Sequence, residues 1–178
     1  MVPCFTGTWE SVDVQGLDVF LGARGVPYLK RLVAVPLQQS VTQALRHEES
    51  DVLVQQSRSM LSTFTQLQRA TVATQGVDAT GATVTLRARW EGAVWVVDSE
   101  TSNQPALQTR RWLEGEHMLF DVSTADPDAA GQTVTVRRRF RLVSRTTEGV
   151  PAAGEVQHGS CEQGSSWSLL GLSFGDKR

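Results

Sequence analysis

The chain has 178 residues, 40% of them hydrophobic and 20% charged, which is enough for one domain with a substantial core. A formal net charge of -2, with both signs dispersed, gives no global field that would favour nucleic acid or a strongly anionic membrane. No apolar run reaches the length of a membrane span, and the start Met1-Val2-Pro3-Cys4-Phe5 lacks the regions of a classical secretion signal, so the chain is expected in the cytoplasm.

Residues 5–12 combine Phe, Thr, Trp and Val, which fit a pleated, half-buried surface, and read as a strand. The period then changes. Leu17, Phe20 and Leu21, and beyond Gly25 the residues Val26, Leu29, Leu32 and Val33, recur at three- and four-residue steps, as the apolar faces of two short helices do. Gly25-Val26-Pro27 breaks the pair, and Pro36 is expected to stop the second helix.

Past Pro36 the pattern alternates. Strands are expected over residues 37–46, 51–59 and 62–68, with a turn near Met60-Leu61, and a weaker one over 70–74 before turn chemistry at 76–81. Residues 83–90 place Val84, Leu86, Ala88 and Trp90 on one face. Glu91-Gly92 then forms a tight hairpin into 93–98. Strands over 106–112, 118–123 and 132–144 complete about ten antiparallel strands with turns at the spacing of an all-β barrel. Residues 145–178 are rich in Gly, Ser, Thr and Glu except for the apolar patch 167–174, which reads as a segment docked on the barrel or as a partner-binding element.

One strand, a helical pair and a long run of strands resembles the intracellular lipid-binding proteins, the fatty-acid-binding and retinoid-binding group of the calycins. The residues that carry the resemblance are Gly7-Thr8-Trp9, the helix around Leu17 to Leu21, the break Gly25-Val26 and the basic second helix Lys30-Arg31-Leu32-Val33-Ala34. Ser11 stands where the family prefers an aliphatic residue, and Leu17 where it prefers Phe or Tyr. The resemblance implies a ten-strand antiparallel up-and-down barrel over residues 1–145. A helix-turn-helix lid lies between the first two strands, and 146–178 form a C-terminal extension.

In the last strand, alternation sets Val134, Val136, Arg138, Phe140 and Leu142 on one face and Arg137, Arg139 and Arg141 on the other. A guanidinium alone on an apolar face needs an anion, either a ligand head group or an internal Asp or Glu, unless a register slip leaves Arg138 exposed. The family carries an Arg-x-Tyr there and an earlier arginine, both reaching a fatty-acid carboxylate. Anchoring on Gly115, the resemblance assigns the head group to Arg110, Arg138 and Phe140, the last in place of the tyrosine. It also makes Leu17, Phe20, Val26, Tyr28, Leu29, Met60 and Leu61 the portal and the wall for the ligand chain.

The expected function is a non-enzymatic, monomeric carrier of a fatty acid or another small hydrophobic ligand, with transient membrane contact through the lid. No cofactor, metal or nucleic-acid partner is expected: His47, His117 and His158 are scattered, and no phosphate loop or nucleophile elbow appears. Cys4 and Cys161 read as reduced thiols, with an end-to-end disulfide as the other reading. The rival to a carrier is an interaction module whose interior is filled by Trp90, Trp112, Phe120 and Phe140. A cavity would distinguish the two.

Overall fold

The computed structural model describes residues 2–102 and 104–156 in full, and residues 160–163 for their backbone. Strand β1 (Gly7–Gln15) is the hub of the sheet, pairing on one side with β2 (Val41–Glu48) and on the other with β10 (Thr133–Ser144). Two things fix its start. The indole of Trp9 donates to the Phe5 carbonyl at 2.9 Å, and both side chains are buried. Gly7 sits at φ +142 with the Ser144 carbonyl only 2.6 Å from where a Cβ would stand, so the backbones of β1 and β10 approach as only glycine allows.

Two helices cross from β1 to β2: α1 (Leu17–Ala23) and α2 (Tyr28–Leu37). Gly25 adopts φ +79 at the break between them, and Pro27 caps α2. Pro36 lies inside α2 rather than ending it, because in the last turn the hydrogen bond it removes is nearly the last one available. Asp18 and Arg31 tie the two helices at 2.9 Å. Leu17, Leu21, Val26, Ala34, Leu61 and Val136 form a buried cluster that seats the pair on one end of the sheet.

The strands β3 (Val52–Ser59), β4 (Ser62–Arg69), β5 (Thr74–Val77), β6 (Thr83–Glu91), β7 (Val94–Thr101), β8 (Gln104–Glu114) and β9 (His117–Ala125) follow as an antiparallel meander. With β1, β2 and β10 they form the expected ten-strand, nearly closed barrel with the helical pair between its first two strands. The weaker strand, expected over 70–74, is displaced: β5 spans Thr74–Val77 and runs into the turn expected at 76–81. Gly76 is used there for close packing, since a Cβ would stand 3.2 Å from Leu86 Cδ1, and not for a turn.

The barrel has one seam. β4 and β5 are adjacent but share no ladder, and side chains stitch them instead: Gln66 Nε2 donates to the Val77 carbonyl at 2.7 Å, and Thr74 Oγ1 to the Leu67 carbonyl at 2.6 Å. The other half of the β4 edge is covered by β11 (Ser160–Gln163), a strand of the extension whose Ser160 lies opposite Thr65 and Gln163 opposite Ser62. This eleventh strand was not expected, because nothing in Ser-Cys-Glu-Gln marks a strand. Its backbone groups answer an edge that would otherwise be open.

Strands β2 to β4 reverse the usual polarity. Their inner face carries Gln43, Gln55, Ser57, Gln66 and Gln68, while Ala44, Val52, Val54 and Leu67 point outwards. The chain beyond β10 covers this outer apolar face. Val150, Ala153 and Val156 pack on it, and the Ala153 amide donates to Glu48 Oε1 at 3.2 Å. The apolar patch at 167–174 lies outside the described residues. No helix among those described is long and apolar enough to cross a membrane.

The close approach at Gly7 gives a direct test. Gly7→Ala should destabilise the fold by about 1–3 kcal/mol, through positive φ and the clash with the Ser144 carbonyl. A lowered urea midpoint at unchanged m-value would register it.

Candidate functional site

The barrel encloses a cavity of about 280 Å³ beneath the helices. Leu17, Phe20 and Leu21 of α1 roof it; Val84, Val97, Phe120 and Val136 make an apolar wall; and the glutamines and serines of β2 to β4 make a polar one. Below lies the core of Phe5, Trp9, Leu45, Leu53, Trp95, Met118 and Phe140. Trp90, Trp95, His47 and Phe5 form a run of ring contacts at this end, with Trp90 and Trp95 edge-on at 4.9 Å. Burial lowers the His47 pKa, and its Nε2 has no hydrogen-bond partner.

Behind the cavity-lining Gln43, Gln55 and Phe120, and not itself part of the lining, stands Arg111, 1% exposed. Its Nη2 donates to Gln55 Oε1 at 2.6 Å and to Gln43 Oε1 at 3.1 Å; its Nε has no partner. The guanidinium lies over the Phe120 ring at 4.8 Å. Gln55 Oε1 also accepts from Gln68 Nε2 at 3.5 Å, and Gln68 Oε1 from the Trp95 indole at 2.8 Å, so one polar chain crosses the interior. Among the described residues no carboxylate pairs with Arg111. Removal from water pulls its pKa down to about 9, still charged at neutral pH.

A second buried guanidinium, Arg138, lines the cavity from β10. Its Nη1 donates to the Gln39 carbonyl at 3.4 Å, and burial lowers its pKa to about 10. A third cation, Arg24 at the end of α1, reaches across the mouth to the Pro105 carbonyl at 2.6 Å and to Gln104. Burial lowers its pKa, and Asp78 opposes that shift. Asp78 in turn organises its own turn, accepting from Thr80 N at 2.8 Å and Ala82 N at 3.0 Å. Arg24 thereby ties the helical pair to the start of β8.

Several expected site residues stand elsewhere. Arg110 faces outwards and pairs with Glu91 at 2.9 Å; the inward arginine is its neighbour Arg111. The hairpin sets this register. Gly115 at φ +59 allows a two-residue turn with Glu114 opposite His117, which brings Arg111 opposite Phe120, an inward residue, and leaves Arg110 opposite Asp121. For the same reason Trp112 lies outside, under the Arg137 guanidinium at 5.4 Å. Phe140 is fully buried and edge-on to Phe120, but does not line the cavity. Of the portal residues, Leu17 and Phe20 line the cavity, Val26 and Leu61 are buried under the helices, and Tyr28, Leu29 and Met60 are exposed. On the outer face of β10, Arg137 pairs with Asp121 and Arg141 with Glu10.

No family model and no curated protein sequence matches the chain. Solved structures do. Fatty-acid-binding protein 1 of Echinococcus granulosus aligns with a TM-score of 0.64 at 16% identity, over 78% of this chain and 97% of that one. The fatty acid transporter REP1-NXSQ aligns with a TM-score of 0.62 at 17% identity, over 78% of this chain and 95% of that one. The chain therefore shares the barrel fold of these fatty-acid-binding structures. The aligned share leaves room outside the common fold for an extension of the kind that begins after β10.

A buried cation without a counter-charge is a cost to the ligand-free fold. Arg111→Met keeps the volume and removes the charge, so the ligand-free variant should melt at or above the wild-type temperature, by a gain of up to about 1–4 kcal/mol. Differential scanning calorimetry on delipidated protein would show a clear drop instead if Arg111 were a purely structural tie.

Proposed function

We propose that the protein is a non-enzymatic intracellular carrier that holds a long-chain fatty acid, or a related hydrophobic carboxylate, inside its barrel. One observation carries this reading: Arg111 is fully buried behind Gln43 and Gln55, which line a cavity of about 280 Å³, and has no carboxylate partner among the described residues. An anionic head group entering from the cavity would supply the missing charge. It would take up the free Nε and compete with Gln43 and Gln55 for the guanidinium. Arg138 forms a second station nearer the helices. The apolar wall accounts for affinity, at about 0.8 kcal/mol for each methylene buried. The wall of glutamines and serines favours a ligand with some polarity along one side.

The cavity argues against the interaction-module reading, since Phe120 and Phe140 leave it open and Trp112 is outside. The fold of the two fatty-acid-binding structures supports the carrier reading at the level of architecture. Cys4 is an exposed free thiol, a state that a reducing cytosol preserves.

Titration of delipidated protein with a fluorescent fatty acid should show saturable binding. Arg111→Met should weaken it roughly 10- to 100-fold, the value of a desolvated charge-assisted hydrogen bond, and Arg138→Met less. The methyl ester should bind wild type as weakly as the acid binds Arg111→Met, and the variant should not discriminate acid from ester. Absence of saturable binding would sink the carrier reading; equal discrimination in wild type and variant would sink the head-group assignment alone.

A further inference from the structure

Strands β2 to β4 offer the cavity more hydrogen-bonding groups than a plain acyl chain can answer. Gln43, Gln55, Ser57, Gln66 and Gln68 all line it, and none is more than 9% exposed. Register sets four of them in two neighbouring rungs: Gln43 lies opposite Ser57 on β3, and Gln55 opposite Gln66 on β4. Gln55 and Ser57 are successive inward residues of β3, so the rungs stand about 7 Å apart.

The partners of each amide fix which atom is left for a ligand. A guanidinium only donates, so Arg111 holds Gln43 and Gln55 by their Oε1 atoms and leaves their Nε2 groups as donors. A backbone carbonyl only accepts, so Val77 holds Gln66 by its Nε2, at 2.7 Å, and leaves Oε1 as an acceptor. Gln68 is engaged at both ends, by Gln55 and by the Trp95 indole. Ser57 Oγ, which can donate or accept, has no side-chain partner among the described residues. The facing wall of Val84, Val97, Phe120 and Val136 is wholly apolar.

We propose, on the basis of the carrier reading, that the preferred ligand is a hydroxylated fatty acid. Its carboxylate meets Arg111 and the amide nitrogens of Gln43 and Gln55, and its hydroxyl is held between Gln66 Oε1 and Ser57 Oγ. These two residues are diagonal neighbours on β3 and β4, a span that a glutamine side chain and one hydroxyl cover together. An unsubstituted chain on this patch would bury both atoms under methylenes and leave them unpaired. A hydroxyl donates to the first and accepts from the second. A keto oxygen in its place only accepts, and Gln66 goes unanswered. Ser57 and Gln66 each stand one position from a glutamine that holds the head group, about 5–7 Å away, or roughly four to six bonds of an extended chain. The hydroxyl therefore belongs in the carboxyl half of the ligand.

Delipidated full-length protein loaded with a fluorescent fatty acid, and competed with stearic, 6-hydroxystearic, 6-oxostearic and 12-hydroxystearic acids, provides the test. The 6-hydroxy acid should displace the probe at about tenfold lower concentration than stearic acid, as for one buried hydrogen bond, with the other two close to stearic acid. Gln66→Met should bring that ratio to about one, since the acceptor is gone. Because Gln66 also stitches β4 to β5, Ser57→Ala is the second variant, and it should cut the ratio roughly threefold. Displacement by stearic acid with no gain from the 6-hydroxyl, an equal gain from the 12-hydroxyl, or a ratio unchanged in both variants would overturn the proposal and leave the carrier reading standing. Failure of the probe and of every acid to bind would remove both.

Discussion

A single guanidinium taken wholly out of water, with amide oxygens but no carboxylate to meet it, sets the terms for the inside of this barrel. Arg111 requires acceptors, and Gln43 and Gln55 provide them from two neighbouring strands. Gln68 and the Trp95 indole then extend the same network. A strand has only two faces. Having placed their amides inwards, β2 to β4 present Ala44, Val52, Val54 and Leu67 outwards, and that face in turn needs Val150, Ala153 and Val156 to cover it. The polar interior and the segment wrapped on the exterior are consequences of one arrangement.

The general plan was legible because it depends on period. The shift from alternating to helical spacing at Leu17, the break at Gly25 and the return to alternation after Pro36 are properties of the chain itself. They led to the observed order of one strand, two helices and the nine further strands of the barrel. Arg138 was legible for the same reason, as a charge among Val134, Val136, Phe140 and Leu142. Arg111 was not, because it follows another arginine and both parities of β8 are mixed. Only the count through the two-residue turn at Gly115, from Phe120 back across the hairpin, selects it. The assignment to Arg110 came from spacing relative to that glycine without this count.

What escaped the sequence altogether are contacts between distant segments. The role of Arg24 depends on the first residues of β8, some eighty residues away, and nothing around it in the chain announces a tie across the mouth. β11 is a strand because an edge of β4 is open, and its own residues carry little preference. Gly76 illustrates the reverse error. A glycine beside Asp78 has the composition of a turn, yet its lack of a side chain serves the approach to Leu86.

The chain Arg111, Gln55, Gln68, Trp95 has an optical consequence. The Trp95 indole is shielded from solvent, and its N–H is bonded to Gln68, which with Gln55 lines the cavity. A buried chromophore therefore stands one hydrogen bond from the wall of the cavity.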